Sequence, residues 1–193
     1  MKTLSRYFIE NALSFGMIAG LLIIIVRAAV YLFDVDQTNV SYSVLNFVYN
    51  IVVLSGCFYL GTVAYRKKTE NGNLTYRKGL MSCIIISLIA VFLIYTYDVI
   101  FHVFIAPGYL ANVLEPQLAA IRNNPAIPPA QQLELMAKME KYTSPFYSSS
   151  INALMSLGIS FIIALITAIF TVRKRPVAMD AATLHDTSTD ETL

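Results

Sequence analysis

Residues 80–105 read LMSCIIISLIAVFLIYTYDVIFHVFI, an apolar run in which Asp98 is the only charged residue. An α-helix rises about 1.5 Å per residue, so about 20 apolar residues cross the hydrocarbon core of a bilayer. Three other stretches have the same character, residues 11–33, 44–65 and 151–172. The sequence therefore predicts an all-α, polytopic integral membrane protein with a four-helix bundle.

The composition agrees with this class. The 193 residues are 56% hydrophobic and 13% charged, whereas soluble domains are about 25% charged. The net charge of +2 is small and divided among the loops, so we expect no nucleic-acid surface. We predict one membrane domain over residues 1–175, followed by a disordered tail over residues 176–193 that is rich in Thr, Ser, Asp and Glu.

The first span begins like a secretory signal, because Lys2 and Arg6 precede an apolar run. The apolar character resumes beyond Arg27 and continues to Phe33, which makes the segment long enough to cross the bilayer. Three further spans would anchor the chain in any case. We therefore predict a retained span, with the mature chain beginning near Met1.

Basic residues indicate the orientation, because Lys and Arg in short loops favour the cytoplasmic side. They gather before span one, between spans two and three, and after span four. These residues are Lys2, Arg6, Arg66, Lys67, Lys68, Arg77, Lys78, Arg173, Lys174 and Arg175. The loop after span one has neither Lys nor Arg, and the long loop 106–150 has only Arg122, Lys138 and Lys141. Both termini are therefore expected in the cytoplasm.

The long outer loop has a helical pattern of its own. After Pro107, apolar residues recur at helical spacing up to Arg122, and a second such segment starts at Pro128–Pro129 and runs to Lys141. The sequence predicts two short amphipathic helices here. One interpretation places them on the membrane surface over the mouth of the bundle, and the other makes them a lid or a docking surface for a partner.

Small residues share one side of two spans. In span one Gly16 and Gly20 fall in the same helical sector as Arg27, and in span four Ser156, Ser160 and Ala164 form a similar stripe. Small residues let membrane helices approach closely, and Gly-x-x-x-Gly is a common association pattern. We therefore expect spans one and four to pack together. These helix-packing positions are Gly16, Gly20, Ser156, Ser160 and Ala164.

Polar residues mark the inner sides of the spans. Arg27, Asn50 and Asp98 each lie six or seven residues from the outer end of a span, which is a depth of about 10 Å. An unpaired charge at such depth costs a few kcal/mol, so we predict an ion pair between Arg27 and Asp98. Asn50 is expected to satisfy leftover donors, and His102 to bond or titrate with the carboxylate. The candidate polar layer is Arg27, Asn46, Asn50, Asp98 and His102.

Two interpretations of this layer stay open. It fixes the register of the helices, since a buried ion pair selects one arrangement more than it adds stability. Alternatively, it marks the path of a proton, ion or solute, which is the usual meaning of an ionisable residue inside a membrane.

Catalysis and metal binding find little support in the sequence. Cys57 and Cys83 lie inside spans, where no disulfide forms, and with His102 and His185 they show no metal-ligand spacing. A lone Asp–His couple lacks a nucleophile and a second carboxylate. We expect no metal, no cofactor and no enzymatic activity.

Three short segments resemble a known family. They are Asn73–Leu80 (NLTYRKGL), which leads into span three, Ala106–Leu110 (APGYL), which leaves it, and the basic group Arg173–Arg175 after span four. Together with the helical outer loop they are similar to a bacterial family of four-span membrane proteins, domain of unknown function 4199, over about residues 8–175. The resemblance implies a membrane fold in the inner membrane and no assigned activity.

The sequence leads to two functional hypotheses. The first is an accessory or structural subunit that acts through protein contacts, with a protein partner or as a homo-oligomer in the bilayer. The second is a small proton-sensitive transporter or channel that uses Arg27, Asp98 and His102. Four spans are few for a monomeric carrier, and internal repeats of the transporter kind are not evident.

Overall fold

The computed structural model describes residues 2–33, 35, 40–69 and 73–172, so the predicted tail lies outside the described residues. Long helices account for most of this part of the chain. The α-helices are α1 (Lys2–Leu32), α2 (Val40–Thr69), α3 (Tyr76–Ile100), α4 (Tyr109–Arg122), α5 (Pro129–Glu140) and α6 (Pro145–Thr171). A π-helical turn, Phe101–Ile105, continues α3, and a 3₁₀ turn, Lys141–Thr143, precedes α6.

Four of these helices are long and apolar enough to cross a bilayer. Their spanning segments are Tyr7–Leu32, Val40–Lys68, Tyr76–Ile105 and Pro145–Thr171, with mean hydropathy between 1.7 and 2.5. Large apolar side chains such as Phe92 cover their outer surfaces, where hydrocarbon is the natural neighbour. The predicted class, a polytopic all-α bundle with four spans, is confirmed.

The four spanning helices pack in the cyclic order α1, α3, α6, α2, with an additional contact between α2 and α3. Helices α1 and α6 therefore lie at opposite corners, and the predicted packing of spans one and four is wrong. The small-residue faces of both helices meet α3 instead. Such a stripe shows that a neighbour approaches closely, but it carries no information about which helix that neighbour is.

Gly16 and Gly20 show how close this approach is. A Cβ on Gly16 would lie 2.7 Å from Cβ of Ile89 and 2.9 Å from the carbonyl oxygen of Ile86. A Cβ on Gly20 would lie 3.1 Å from Cδ1 of Leu93. Both glycines are needed for the contact between α1 and α3.

At the end of the bundle where α2 and α3 are joined, the helices are in tight contact. We call this the tight end and the opposite one, which carries α4 and α5, the loop end. Arg66 Nη1 donates to the carbonyl oxygen of Thr171 at 3.0 Å, which ties α2 to α6. Asn11 Nδ2 donates to the carbonyl oxygen of Gly61 at 2.8 Å, which ties α1 to α2. These bonds lie beside a core of buried apolar side chains that includes Phe58.

At the loop end, α2 and α6 separate. Helix α2 has no buried residue from Val40 to Val53, and its buried face begins at Leu54. Helix α6 likewise has none between Ser149 and Ser160. The two helices thus bound a wedge that narrows toward the tight end.

The long loop between α3 and α6 contains the two predicted amphipathic helices, α4 and α5, close to their predicted bounds. Gly108 precedes α4 with φ of 89°, a backbone conformation that favours glycine. Pro128 and Pro129 begin α5, which suits a ring that lacks an N–H donor. Helix α5 carries an exposed ion pair, with Lys138 Nζ 2.6 Å from Glu134 Oε1.

Candidate functional site: a polar cavity inside the membrane bundle

The wedge at the loop end encloses a cavity of about 530 Å³. Side chains of α1, α2, α3, α4 and α6 line it. All five residues of the predicted polar layer are among them, so three spans contribute to one space: Arg27, Asn46, Asn50, Asp98 and His102. Pockets that hold small molecules have volumes of about 300–1,000 Å³.

Arg27 and Asp98 form the ion pair that the depth of the two residues predicted. Nη1 of Arg27 lies 2.5 Å from each carboxylate oxygen of Asp98. The pair joins α1 to α3 in a medium where an isolated charge is costly. It therefore satisfies the buried carboxylate and links α1 to α3.

The two partners differ in exposure. The Asp98 side chain is 7% exposed, whereas that of Arg27 is 29% exposed. Nη1 makes both bonds to the carboxylate, and Nε and Nη2 donate to no atom in the described part of the chain. Asp98 also lines the cavity, so within the pair the Arg27 cation is the more exposed group at the cavity wall.

Asn46 and Asn50 lie on the α2 wall of the cavity. Asn50 Nδ2 donates to the carbonyl oxygen of Asn46 at 2.6 Å and approaches its Oδ1 at 3.2 Å. Asn50 was expected to serve the ion pair, but its amide is satisfied within its own helix.

His102 lies in the π-helical turn and makes no hydrogen bond to the Asp98 carboxylate. Its ring stacks on Tyr109 with centroids 6.0 Å apart, and its Nδ1 is buried without a hydrogen-bond partner among the described residues. The expected bond assumed a uniform α-helix. The wider turn that begins at Phe101 changes the direction of His102, and such turns are frequent at functional sites.

Helix α4 forms the roof of the cavity. Leu110 and Val113 line it from this side, and Tyr109 anchors the beginning of the helix. The Tyr109 ring packs against Tyr31 and Phe101 with centroids 6.0 and 5.6 Å away. Burial, with Tyr42 and Tyr31 nearby, raises the pKa of the Tyr109 phenol. The amphipathic helix is thus held to the spans by aromatic contacts.

The helix-packing positions predicted on α6 have divided roles. Ser156 and Ser160 line the cavity, whereas Ala164 is fully buried in the apolar core. Ser160 is also fully buried, and its Oγ has no hydrogen-bond partner among the described residues. The same serine lines a second, apolar groove of about 360 Å³ between α3 and α6. Ser160 therefore separates the two spaces.

Sequence reasoning missed several polar residues of the wall, among them Tyr42, Tyr97 and Asn152. Tyr42 lies one helical turn before Asn46, so an extension of the same face would have found it. Asn152 is exposed, and only the separation of α6 from α2 makes it part of the cavity. That separation has no sequence signal.

No three His, Cys, Asp or Glu side chains in the described ranges lie close enough together to hold a metal ion. Cys57 and Cys83 are both buried free thiols. The chemistry that the cavity offers is therefore hydrogen bonding and charge recognition.

Comparison with known proteins agrees with this architecture. The sequence profile of a family described as "Protein of unknown function (DUF4199)" matches residues 14–173. The chain belongs to the DUF4199 family. Its matched region begins within α1 and ends just after α6, so it includes most of α1, the other three spanning helices and the residues that line the cavity. No curated protein and no solved structure shows detectable similarity to this DUF4199 protein.

Proposed function

We propose that this DUF4199 protein binds an anionic group, either a small anion or the anionic head of a larger molecule, in the cavity at the loop end. The observation that carries the proposal is the asymmetry of the ion pair. Both residues line the cavity, and the Arg27 side chain is 29% exposed whereas that of Asp98 is 7% exposed. A guanidinium binds carboxylate and phosphate groups through paired donors, and its Nε–Nη2 edge is not used by Asp98.

The rest of the cavity supports recognition of a polar ligand. The amide of Asn46 lies on one wall, and the hydroxyl groups of Tyr42 and Ser156 supply donors and acceptors on others. A few polar groups in a mostly apolar pocket are typical of specific binding sites. Asp98 keeps the empty site electrically neutral, which lowers the cost of holding a cation in the membrane.

The shape of the bundle favours binding over an open pore. The cavity reaches as far as Leu54 and Val91, and the apolar core lies beyond them. A path through the membrane would require this core to separate. We therefore propose ligand binding in preference to a proton-sensitive transporter or channel. We also propose that the protein is not an enzyme.

The cellular orientation belongs to the same proposal. Arg66, Lys67 and Lys68 lie at the tight end, together with Arg77 and Lys78. Because short basic segments favour the cytoplasm, the tight end would face inward in the inner membrane and the cavity outward. An accessory role through protein contacts stays a prediction, because no described contact concerns a partner chain.

The test is a thermal-stability assay in a neutral detergent. A thiol-reactive dye reports unfolding, since Cys57 and Cys83 are buried in the folded protein. The probes are glycerol 3-phosphate and dodecyl phosphate, with glycerol and dodecyltrimethylammonium as neutral and cationic references at equal ionic strength. A ligand at 100 times its dissociation constant stabilises a protein by about 2.7 kcal/mol. We expect at least one anionic probe to raise the midpoint temperature of thermal unfolding.

Two variants decide whether the effect belongs to the cavity. Arg27→Gln with Asp98→Asn removes both charges and keeps hydrogen-bonding groups, so the fold is expected to persist and the ligand-induced shift to vanish. Glu134→Gln with Lys138→Gln removes an exposed pair of the same types on α5 and should keep the shift. A shift that survives in the first double variant, or no anion-specific shift in the wild type, would refute the proposal.

A further inference from the structure

The cavity opens sideways, toward the lipid. Its rim includes Phe47 of α2 and Met155 and Ile159 of α6, which are 51%, 66% and 36% exposed. All three lie within spanning segments, so their exposed surfaces face hydrocarbon. The gap between α2 and α6 is thus a lateral opening with an apolar rim and a polar interior.

Direct contacts join the described helices on other sides of the cavity. Tyr49 Oη donates to the carbonyl oxygen of Leu22 at 2.9 Å, which bridges α1 and α2. Close packing at Gly20 joins α1 to α3. Between α3 and α6, the buried Ser160 forms the wall of the cavity. Helix α4 covers the end that would otherwise meet water. Among the described residues, the apolar rim marks a route between α2 and α6.

We infer that the ligand is an anionic membrane amphiphile, with a phosphate or carboxylate head at Arg27 and an alkyl chain that passes between α2 and α6 into the bilayer. This inference rests on the proposed function. A molecule already dissolved in the bilayer reaches such an opening by lateral diffusion, whereas a water-soluble anion would have to pass an apolar rim or the α4 roof. The rim residues Phe47 and Met155 match the chemistry of an alkyl chain.

The chain offers a clean fluorescence test because it contains no tryptophan. Phe47→Trp places the reporter on the proposed chain path. Phe92→Trp is the matched control on α3, at a side chain that is 67% exposed and does not line the cavity. Phe161→Trp reports on the apolar groove between α3 and α6, the competing path for a chain.

Each variant is reconstituted into phosphatidylcholine bilayers that contain a small, increasing fraction of a lipid with brominated chains, which quench tryptophan on contact. The two anionic arms are brominated phosphatidylglycerol and dibromostearate, which separate a phospholipid from a fatty acid. Brominated phosphatidylcholine is the reference. We expect saturable quenching of Phe47→Trp by at least one anionic arm, and only gradual, proportional quenching of Phe92→Trp and Phe161→Trp.

Adding Arg27→Gln with Asp98→Asn should reduce the quenching of Phe47→Trp to the level of Phe92→Trp. Equal quenching of these two reporters overturns the inference. So does saturation at Phe161→Trp instead, or equal saturation by brominated phosphatidylcholine. If quenching fails while glycerol 3-phosphate still stabilises the protein through Arg27, the ligand is water-soluble and the proposed function stands. If the anion-specific shift is also absent, both proposals fail.

Discussion

Nη1 of Arg27 lies 2.5 Å from both carboxylate oxygens of Asp98, a residue 71 positions later in the sequence. The pair thus joins α1 to α3. The pair stands at the inner wall of the cavity and at the interface of α1 with α3. It has a structural role and, in our proposal, a recognition role. The two roles are separable, because the carboxylate supports the fold while the free edge of the guanidinium faces the ligand.

The first prediction concerns the structural role. Asp98→Asn leaves the Arg27 cation unpaired, and breaking one partner of a buried pair costs about 3–5 kcal/mol. We expect the free energy of unfolding to fall by about 3 kcal/mol, near the lower end of this range, because the Arg27 side chain is 29% exposed and can reach water. The dye-based unfolding midpoint measures it. Arg27→Asp with Asp98→Arg should recover much of the loss, and a swap no better than the single change would contradict the architectural role.

The second prediction concerns the interface between α1 and α3. Gly16→Ala places a Cβ 2.7 Å from Cβ of Ile89, so one helix must shift, and overpacking of this kind costs about 1–3 kcal/mol. Gly56→Ala is the matched control, since a Cβ there meets nothing within 4 Å and alanine favours the helix. We expect a lower unfolding midpoint for Gly16→Ala alone. Equal midpoints for the two variants would show that α1 is free to move away from α3.

The third prediction concerns pH and the α4 roof. Burial raises the pKa of the Tyr109 phenol above its ordinary value of 10.0. In the unfolded chain this phenol loses its proton first as the pH rises, so its contribution to stability is complete below about pH 10 and is lost as the pH passes the folded pKa. Midpoints measured between about pH 9 and 11 should fall less steeply for Tyr109→Phe than for the wild type. Identical slopes would place Tyr109 in water.

The fourth prediction concerns orientation. Asn123→Cys lies in the exposed outer loop and Lys67→Cys at the exposed tight end. A membrane-impermeant maleimide should label the first in intact cells and the second only after the membrane is opened. The native thiols Cys57 and Cys83 are buried and should stay unlabelled. The reverse pattern would invert the protein and turn the cavity toward the cytoplasm.

Much of the fold was predictable because the bilayer imposes its own length and polarity on the sequence. The apolar length of residues 80–105 was sufficient to identify one span, and the depth of Arg27 and Asp98 was sufficient to pair them. The partner of the Gly16–Gly20 face was not predictable, since small residues permit close approach to any helix. The assignment of Gly16 to α3 required the structure.

The cavity itself was predicted only in part. Helical periodicity collected Asn46 and Asn50 on one face, but it gave no sign that α2 has no buried residue before Leu54. The direction of His102 depends on the π-helical turn, which departs from the 100° per residue on which face assignment rests. The separation of α2 from α6 and the geometry of the π-helical turn both arise from packing between helices. The residue pattern of a single helix therefore does not predict them.

The most direct test of the central claim is native mass spectrometry of the protein released gently from its own membranes. The account predicts that the wild type retains a stoichiometric amphiphile with a phosphate or carboxylate head, and that Arg27→Gln with Asp98→Asn loses it. Retention of the same molecule by both proteins, or a wild type that carries only zwitterionic lipid, would contradict recognition at Arg27.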